Sequence, residues 1–314
     1  MKIALGLATL ALLELAPLFA NPKFNGRWDI TVRNEPRRRA WWLEIEAAET
    51  ANPRGKFISA YAGDLNPIEE IRIQGDELTF GFQVNNRGHL VYQAKLVGDR
   101  LEGTFEVEGN PNSRLVWTGV RAPVIQDRDD GSWVAAKTIE LFNGRDLTGW
   151  LPVVSGRELG WKVENGILKN VAGANNILTA EKFWNFDLHA EVRLGPGSNS
   201  GIVLRGRYEI QILDDFGKPP SRHSNGALYS RVAPLVNASR PAGEWQTYQI
   251  RIVGRQVTVV LNGQKILDKV EAEGLTAAAI DADEALPGPL FLQGDHGAVE
   301  FRKIRLTPLV RKGR

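Results

Sequence analysis

The chain contains no cysteine. That excludes disulfides, thiolate catalysis and a lipid-modified cysteine anchor. Histidine is scarce, with four residues at positions 89, 189, 223 and 296, too scattered to spell a zinc site by spacing. A surplus of one charge is also missing: 39 basic and 37 acidic residues leave a formal net charge of +2. Bulk charge therefore offers no nucleic-acid partner. The one dense basic run, Arg37-Arg38-Arg39, follows Pro36 and precedes Trp41-Trp42, and reads as a solvated turn. Dinucleotide, P-loop, HExxH and EF-hand motifs do not occur. The stretch GPGSNSG at 195–201 carries Asn199 where a nucleophile elbow needs serine.

Long apolar runs are confined to the first 20 residues, MKIALGLATLALLELAPLFA. Lys2, a short apolar stretch interrupted by Glu14, and the small residue Ala20 read as a secretory signal peptide over 1–20. A periplasmic or secreted protein with no membrane span in its mature part is expected. Without disulfides, such a protein must rest on its core, and 314 residues are enough for about two domains.

Short alternating runs fill the remainder. From 23 to 122 they come as GRWDITV, AWWLEIE, GKFISAYAG, EEIRIQG, ELTFGFQV, LVYQAKLVG, RLEGTFEVEG and RLVWTGV, separated by turn pairs such as Asn52-Pro53 and Gly98-Asp99. This rhythm predicts a small antiparallel barrel or sandwich, with a lipocalin-like barrel as the expected form. The charged, non-periodic stretch after it, 123–137, is expected to be a linker. A second β-rich block follows at 138–309, then a basic tail at 310–314. Asn262-Gly263 predicts a type I′ hairpin. The Ala-rich and acidic stretch 270–288 predicts a loop with one helical turn. The fold class expected is all-β.

In the second block, strand alternation sets polar residues opposite apolar ones. His189, Glu191 and Arg193 oppose Leu188, Ala190 and Val192; Glu209 and Gln211 oppose Tyr208, Ile210 and Ile212. Alternate side chains lie about 6.5–7 Å apart, so Glu209 and Gln211 could touch one ligand. Gln293, Asp295 and His296 fall in a Gly-flanked turn at the rim of a sheet, where histidine suits proton transfer near neutral pH.

The motifs LFNGRDLTGW, WKVENGILKN, FDLHAEVRLGPGSNSGIVLRG, YEIQILDD, GALYSRVAP, PAGEWQTYQIRIVG and GPLFLQGDHGAVEFRKIRL come in an order that resembles the 3-keto-disaccharide hydrolase domain family, over about 138–309. The resemblance implies a concanavalin A-like β-sandwich (jelly roll) and cleavage of glycosides oxidised at C3. It implies site residues at Glu191, Asn199, Arg205, Glu209, Gln211, Asp214, Tyr229, Gln293 and His296. In this reading His296 is the base, with Glu209 as second candidate, and Arg205 stabilises an enediolate oxygen. Gln211, Gln293 and Asp214 hold sugar hydroxyls. A divalent metal ion could take the role of Arg205. The substrate partner is an oligosaccharide or glycoside. Two alternatives stay open: a retaining β-glucanase, which needs a second carboxylate where Gln211 stands, and a non-catalytic carbohydrate-binding module. The block at 23–122 lies outside the resemblance, as an accessory module, a cap over the cleft or a dimer surface.

Overall fold

The computed structural model describes residues 21–313; the expected signal peptide lies outside the described residues. The first block forms nine strands: Gly26–Val32 (β1), Ala40–Glu46 (β2), Arg54–Ile58 (β3), Leu65–Pro67 (β4), Glu70–Gln74 (β5), Glu77–Val84 (β6), Gly88–Val97 (β7), Arg100–Val107 (β8) and Asn110–Arg121 (β9). They make one antiparallel sheet in the order β4-β3-β2-β1-β9-β8-β7-β6-β5. Its two ends meet. The Ile68 N–H donates to the Gly55 carbonyl at 2.9 Å, and the Ile71 side chain packs over Gly55. The result is a curled barrel with a filled interior. Tyr92 lies at its centre, with ring centroids 4.5 Å from Phe57, 4.8 Å from Phe80, 4.9 Å from Phe105 and 5.7 Å from Trp41.

The second block supplies fourteen strands. They are Trp133–Ala135 (β10), Ile139–Glu140 (β11), Trp150–Pro152 (β12), Trp161–Glu164 (β13), Ile167–Asn170 (β14), Ile177–Phe183 (β15), Phe186–Leu194 (β16), Asn199–Leu204 (β17), Tyr208–Leu213 (β18), Trp245–Val253 (β19), Gln256–Leu261 (β20), Gln264–Glu271 (β21), Gly288–Leu292 (β22) and Val299–Arg311 (β23). One sheet runs β13-β14-β23-β16-β19-β20-β21, with β10 and β11 also paired to β23; a smaller one runs β12-β15-β22-β17-β18. Their apolar faces meet in a single core. Leu188, Ile250 and Phe301 come from the large sheet, and Ile202, Ile210 and Leu290 from the small one. This is the expected β-sandwich. Asn262 and Gly263 join β20 to β21 with φ of 52° and 84°, the two positive angles that a type I′ turn demands.

Three expectations change. The stretch 123–137 is a strap rather than a free linker: Ile125 is buried, Asp127 accepts hydrogen bonds from Trp184 and Asn185, and β10 pairs with β23. The tail is not free over 310–311, because β23 runs to Arg311, whose guanidinium lies over the Trp133 ring and pairs with Asp127. The stretch 272–287 has turns but no helix. Its alanines are used instead as a packing surface.

That surface joins the two blocks. Alternation on β2 sends neighbouring tryptophans to opposite faces: Trp41 fills the barrel, while Trp42 packs with Ala40 and Ile58 against Leu275, Ala277 and Ala279. The Ala40 N–H donates to the Ala279 carbonyl at 2.9 Å. Arg231 stacks on Trp42 at 4.5 Å, and Arg222 pairs with Asp64 at 3.0 Å. Gly274 lets the chain pass directly over the Trp42 indole, where a Cβ would collide with the ring. Gly274→Ala should therefore destabilise the protein by about 1–3 kcal/mol, as overpacking does. An unchanged urea midpoint would show that the barrel does not dock through Trp42.

Candidate active site

In a sandwich, the polar faces of the two sheets point in opposite directions, which divides the residues predicted from alternation. Those on β16 lie on the outer face of the large sheet. There Glu191 is held by Arg302 and Lys303. Burial resists its ionisation, but the two cations hold its carboxyl down to about 2. Glu191 therefore belongs to a surface charge ladder, a correction to its expected place at the site.

The outer face of the small sheet is different, because the barrel covers it. Between them lies a cavity of about 280 Å³. Its floor comes from β17, β18 and the segment after β22. Glu209 and Gln211 are each 3% exposed, although both point away from the sandwich core. One neighbour, Gly201, makes room for both. Gly201 pairs with Gln211 across the β17–β18 ladder, and a Cβ on it would stand 2.5 Å from Glu209 Oε1.

The β22–β23 turn brings His296 to the rim. Asn176 Oδ1 accepts the N–H groups of Gly294 at 2.7 Å and Asp295 at 3.0 Å. The Gly173 N–H donates to the His296 carbonyl at 3.1 Å, and the Gly297 N–H to the Asn199 carbonyl at 2.8 Å. Glycine is required at both flanks: a Cβ at 294 would strike the Asn175 carbonyl and Trp161, and one at 297 would strike Ser198 and Asn199. The turn is thus fixed by backbone contacts, and the imidazole is held in turn by Asp295, with Nδ1 2.9 Å from Asp295 Oδ1. With Nδ1–H donating to this carboxylate, Nε2 keeps its lone pair.

Electrostatics separates the two acids. Burial pushes Glu209 up to about 8, opposed by the charge of His296 and assisted by that of Asp295. Burial also resists ionisation of Asp295, but the hydrogen bond and charge of His296, with Asn176, hold it below the usual carboxylate range. The bond to Asp295 raises His296 above its ordinary value, against its own desolvation. The cavity therefore holds a neutral carboxylic acid beside a carboxylate–imidazole pair.

Three side-chain amide oxygens complete the floor. Those of Asn199, Gln211 and Gln293 are buried without a hydrogen-bond partner among the described residues. Unpartnered buried acceptors are rare in folded proteins, and a ligand rich in hydroxyl groups would satisfy them. Tyr229 also lines the cavity; its hydroxyl donates to the Gly63 carbonyl at 2.9 Å, so it ties the barrel to the site.

Six of the nine expected residues thus converge: Asn199, Glu209, Gln211, Tyr229, Gln293 and His296. Besides Glu191, two others stand elsewhere. Arg205 lies just past the end of β17 with φ 55°, and this left-handed turn buries its guanidinium under Trp184 at 4.1 Å. There it donates to the Trp184 carbonyl and Asn185. Asp214 follows the end of β18 and accepts the Gly197 N–H at 2.8 Å, closing the 195–198 turn. Among the described residues, no three His, Asp or Glu side chains form a metal-ligand set. Arg205, whose role a divalent ion was expected to be able to take, does not line the cavity.

The residues that sequence reasoning missed come mainly from the barrel. Tyr61, Arg37, Arg38, Arg39 and Arg87 line the cavity opposite the sheet. Three of them form the arginine run noted in the sequence, but its position over a cleft is set by long-range docking that local pattern does not encode; Tyr61 and Arg87 carried no such signal.

A curated 3-keto-disaccharide hydrolase of Bacteroides thetaiotaomicron is 25% identical over 166 residues, covering 41% of this chain; the chain spans 57% of that relative's length. Two crystal structures of presumptive glycosyl hydrolases from Parabacteroides distasonis are similar. One is 28% identical with a TM-score of 0.48, covering 60% of this chain and 92% of that one. The other is 24% identical with a TM-score of 0.47, covering 55% and 94%. The sequence model of the 3-keto-alpha-glucoside-1,2-lyase-like domain matches residues 137–307, more than half of the chain, and the protein belongs to that family.

Proposed function

We propose that the protein cleaves the glycosidic bond of 3-keto-glycosides by elimination and hydration. The observation that carries this reading is the meeting, in one cavity, of a neutral buried Glu209 and the His296–Asp295 pair above unpartnered amide oxygens. The family description, which names a 1,2-lyase, and the relative's name agree with it.

The chemistry follows from the ketone. A carbonyl at C3 acidifies the C2 hydrogen. His296 Nε2 takes that proton, and the C–H electrons form the C2=C3 enediolate. The negative charge on the C3 oxygen is stabilised by amide N–H groups of Gln211 and Gln293, in the role first expected of Arg205. The enediolate then re-forms its C3 carbonyl, the electrons move to C1=C2, and the C1–O bond breaks. The departing oxygen takes a proton from Glu209, which is un-ionised below about pH 8. Water then gives a proton to Glu209 as its oxygen adds to C1, and His296 returns its proton to C2, so both groups are restored and the sum is hydrolysis.

A retaining glucanase would need two free carboxyl groups about 5–5.5 Å apart. Here Gln211 stands at the alternate strand position, and Asp295 is committed to His296. A binding module would need neither the protonated acid nor the dyad. Incubation with 3-keto and unoxidised glucosides separates the readings: cleavage of only the former supports elimination, cleavage of the latter a glucanase, and cleavage of neither a binding module.

His296→Ala should lower turnover of a 3-keto-glucoside by about 10²–10⁴-fold, the usual contribution of a general base, and should abolish exchange of the C2 hydrogen with solvent. Activity within a few-fold of wild type would remove His296 from the mechanism.

For Glu209→Gln, the loss should be severe with an alkyl leaving group and slight with a nitrophenyl one, because only the former needs an acid. Equal losses would assign Glu209 another task. The pH profile of kcat/KM should rise as His296 loses its proton above 6.5 and fall as Glu209 ionises near 8. The glutamine variant should lack the alkaline limb.

The same group governs stability. Because the folded-state pKa of Glu209 is raised from 4.5 to about 8, the native state holds a proton that the unfolded chain releases. Relative to Glu209→Gln, the wild type should lose stability as pH rises from about 4.5 to about 8 and then level off. Urea unfolding at pH 5, 7 and 9 measures the difference, and a pH-independent difference would mean that Glu209 is not buried in the folded state.

A further inference from the structure

We propose that the barrel makes the enzyme selective for 3-keto-glycosides whose aglycone carries an oxyanion group, carboxylate or phosphate, held by Arg37, Arg38 and Arg87. This deepens the reading above and rests on it for the reacting end of the substrate.

The charges around the cavity are lopsided. Four arginines line it, at 37, 38, 39 and 87, against two acids, Glu209 and Asp295. Glu209 is neutral at pH 7, and Asp295, the charged acid of the lining, is already engaged by its hydrogen bond with His296. Of the arginines, Arg39 is matched too: it pairs with Glu35 at 3.4 Å and stacks on Tyr61 at 5.0 Å. The other three have no acidic partner among the described residues. Arg37 still acts on the site, since its charge helps to hold Asp295 ionised.

The local structure aims these groups at the cavity. Arg37 and Arg38 occupy the β1–β2 connection, where the Arg38 N–H closes a turn on the Glu35 carbonyl and Arg38 takes a left-handed φ of 50°. Arg87 follows Asn86 in the β6–β7 turn. Its Nη1 donates to the carbonyls of Ala60 at 3.1 Å and Tyr61 at 2.8 Å, which fixes the guanidinium plane and leaves its other N–H groups without a partner among the described residues. A planar fork held on one edge suits two-point recognition of carboxylate or phosphate.

The division of the cavity locates the anion on the substrate. His296, Glu209 and the amides, which handle the sugar, lie on the sheet side, while the arginines lie on the barrel side. All four also precede residue 137, where the family match begins. The sugar ring on the sheet therefore leaves the aglycone to face the arginines.

The test compares 4-carboxyphenyl with 4-carbamoylphenyl 3-keto-glucosides of the same anomer, in wild type and in Arg37→Gln/Arg38→Gln and Arg87→Gln variants. Kinetics are read at two salt concentrations. Calorimetry with the unoxidised carboxyphenyl and carbamoylphenyl glucosides reads binding independently of cleavage. Wild type should favour the carboxylate in kcat/KM by about 10-fold or more, the range of a charge-assisted contact. Salt should reduce this preference, and the variants should bring it close to one. A ratio near one in wild type, or a high ratio that the variants leave intact, overturns the proposal. If binding prefers the carboxylate through these arginines but no 3-keto-glucoside is cleaved, the anion site stands and the elimination reading falls. A phosphate-bearing aglycone run in parallel shows which oxyanion the arginines prefer.

Discussion

The covering of one sheet face is the constraint on which the rest of this structure depends. Glu209 and Gln211 point away from the sandwich core, on the face that strand alternation leaves for polar residues. Here the barrel, docked through Trp42, Ala279 and Tyr229, and the 272–287 segment lie over it, and both residues are nearly inaccessible. Burial is the largest cause of the rise of Glu209 to about 8. A carboxylic acid that can donate a proton near neutral pH is therefore a product of the domain interface as much as of the strand that carries it.

The interface also explains the divided character of that face. Val153, Leu178, Val203 and Phe291 form an apolar patch on it, roofed by Ala278 and Ile280. Beside them stand the polar groups of the cavity. The alanine-rich stretch that links β21 to β22 can thread between the two blocks because its side chains are small, and Gly274 lets it cross the Trp42 ring. One segment thus packs the interface and walls the site.

Much of this was legible in the sequence, for physical reasons that can be named. GRWDITV, AWWLEIE and ELTFGFQV coincide with β1, β2 and β6 because period-two alternation is a direct record of which face is buried. Asn262-Gly263 marked its hairpin because few other residues tolerate two positive φ angles. The misreadings have equally definite causes. Arg205 continues the alternation of Gly201 and Val203, but the strand ends at Leu204, and one left-handed residue carries its side chain beneath Trp184. Glu191 does face away from the core, yet its strand belongs to the opposite sheet. Alternation reports the side of a sheet, never which of two sheets.

Arg37-Arg38-Arg39 shows where local reasoning ends. A solvated turn was a fair reading of three arginines after a proline, and Arg37 and Arg38 are indeed exposed. What the pattern could not carry is the position of that turn over a cleft in a domain more than a hundred residues away in sequence. The separation has a consequence for how selectivity can vary. The proposed proton-transfer groups lie between Glu209 and His296, on strands and a turn locked by backbone contacts and by glycines that admit no side chain. The barrel residues that face them lie in three connections, β1–β2, β3–β4 and β6–β7, where substitution disturbs no ladder of hydrogen bonds. Such an arrangement lets the contacts to the aglycone change while the chemistry at C1, C2 and C3 of the sugar is left in place.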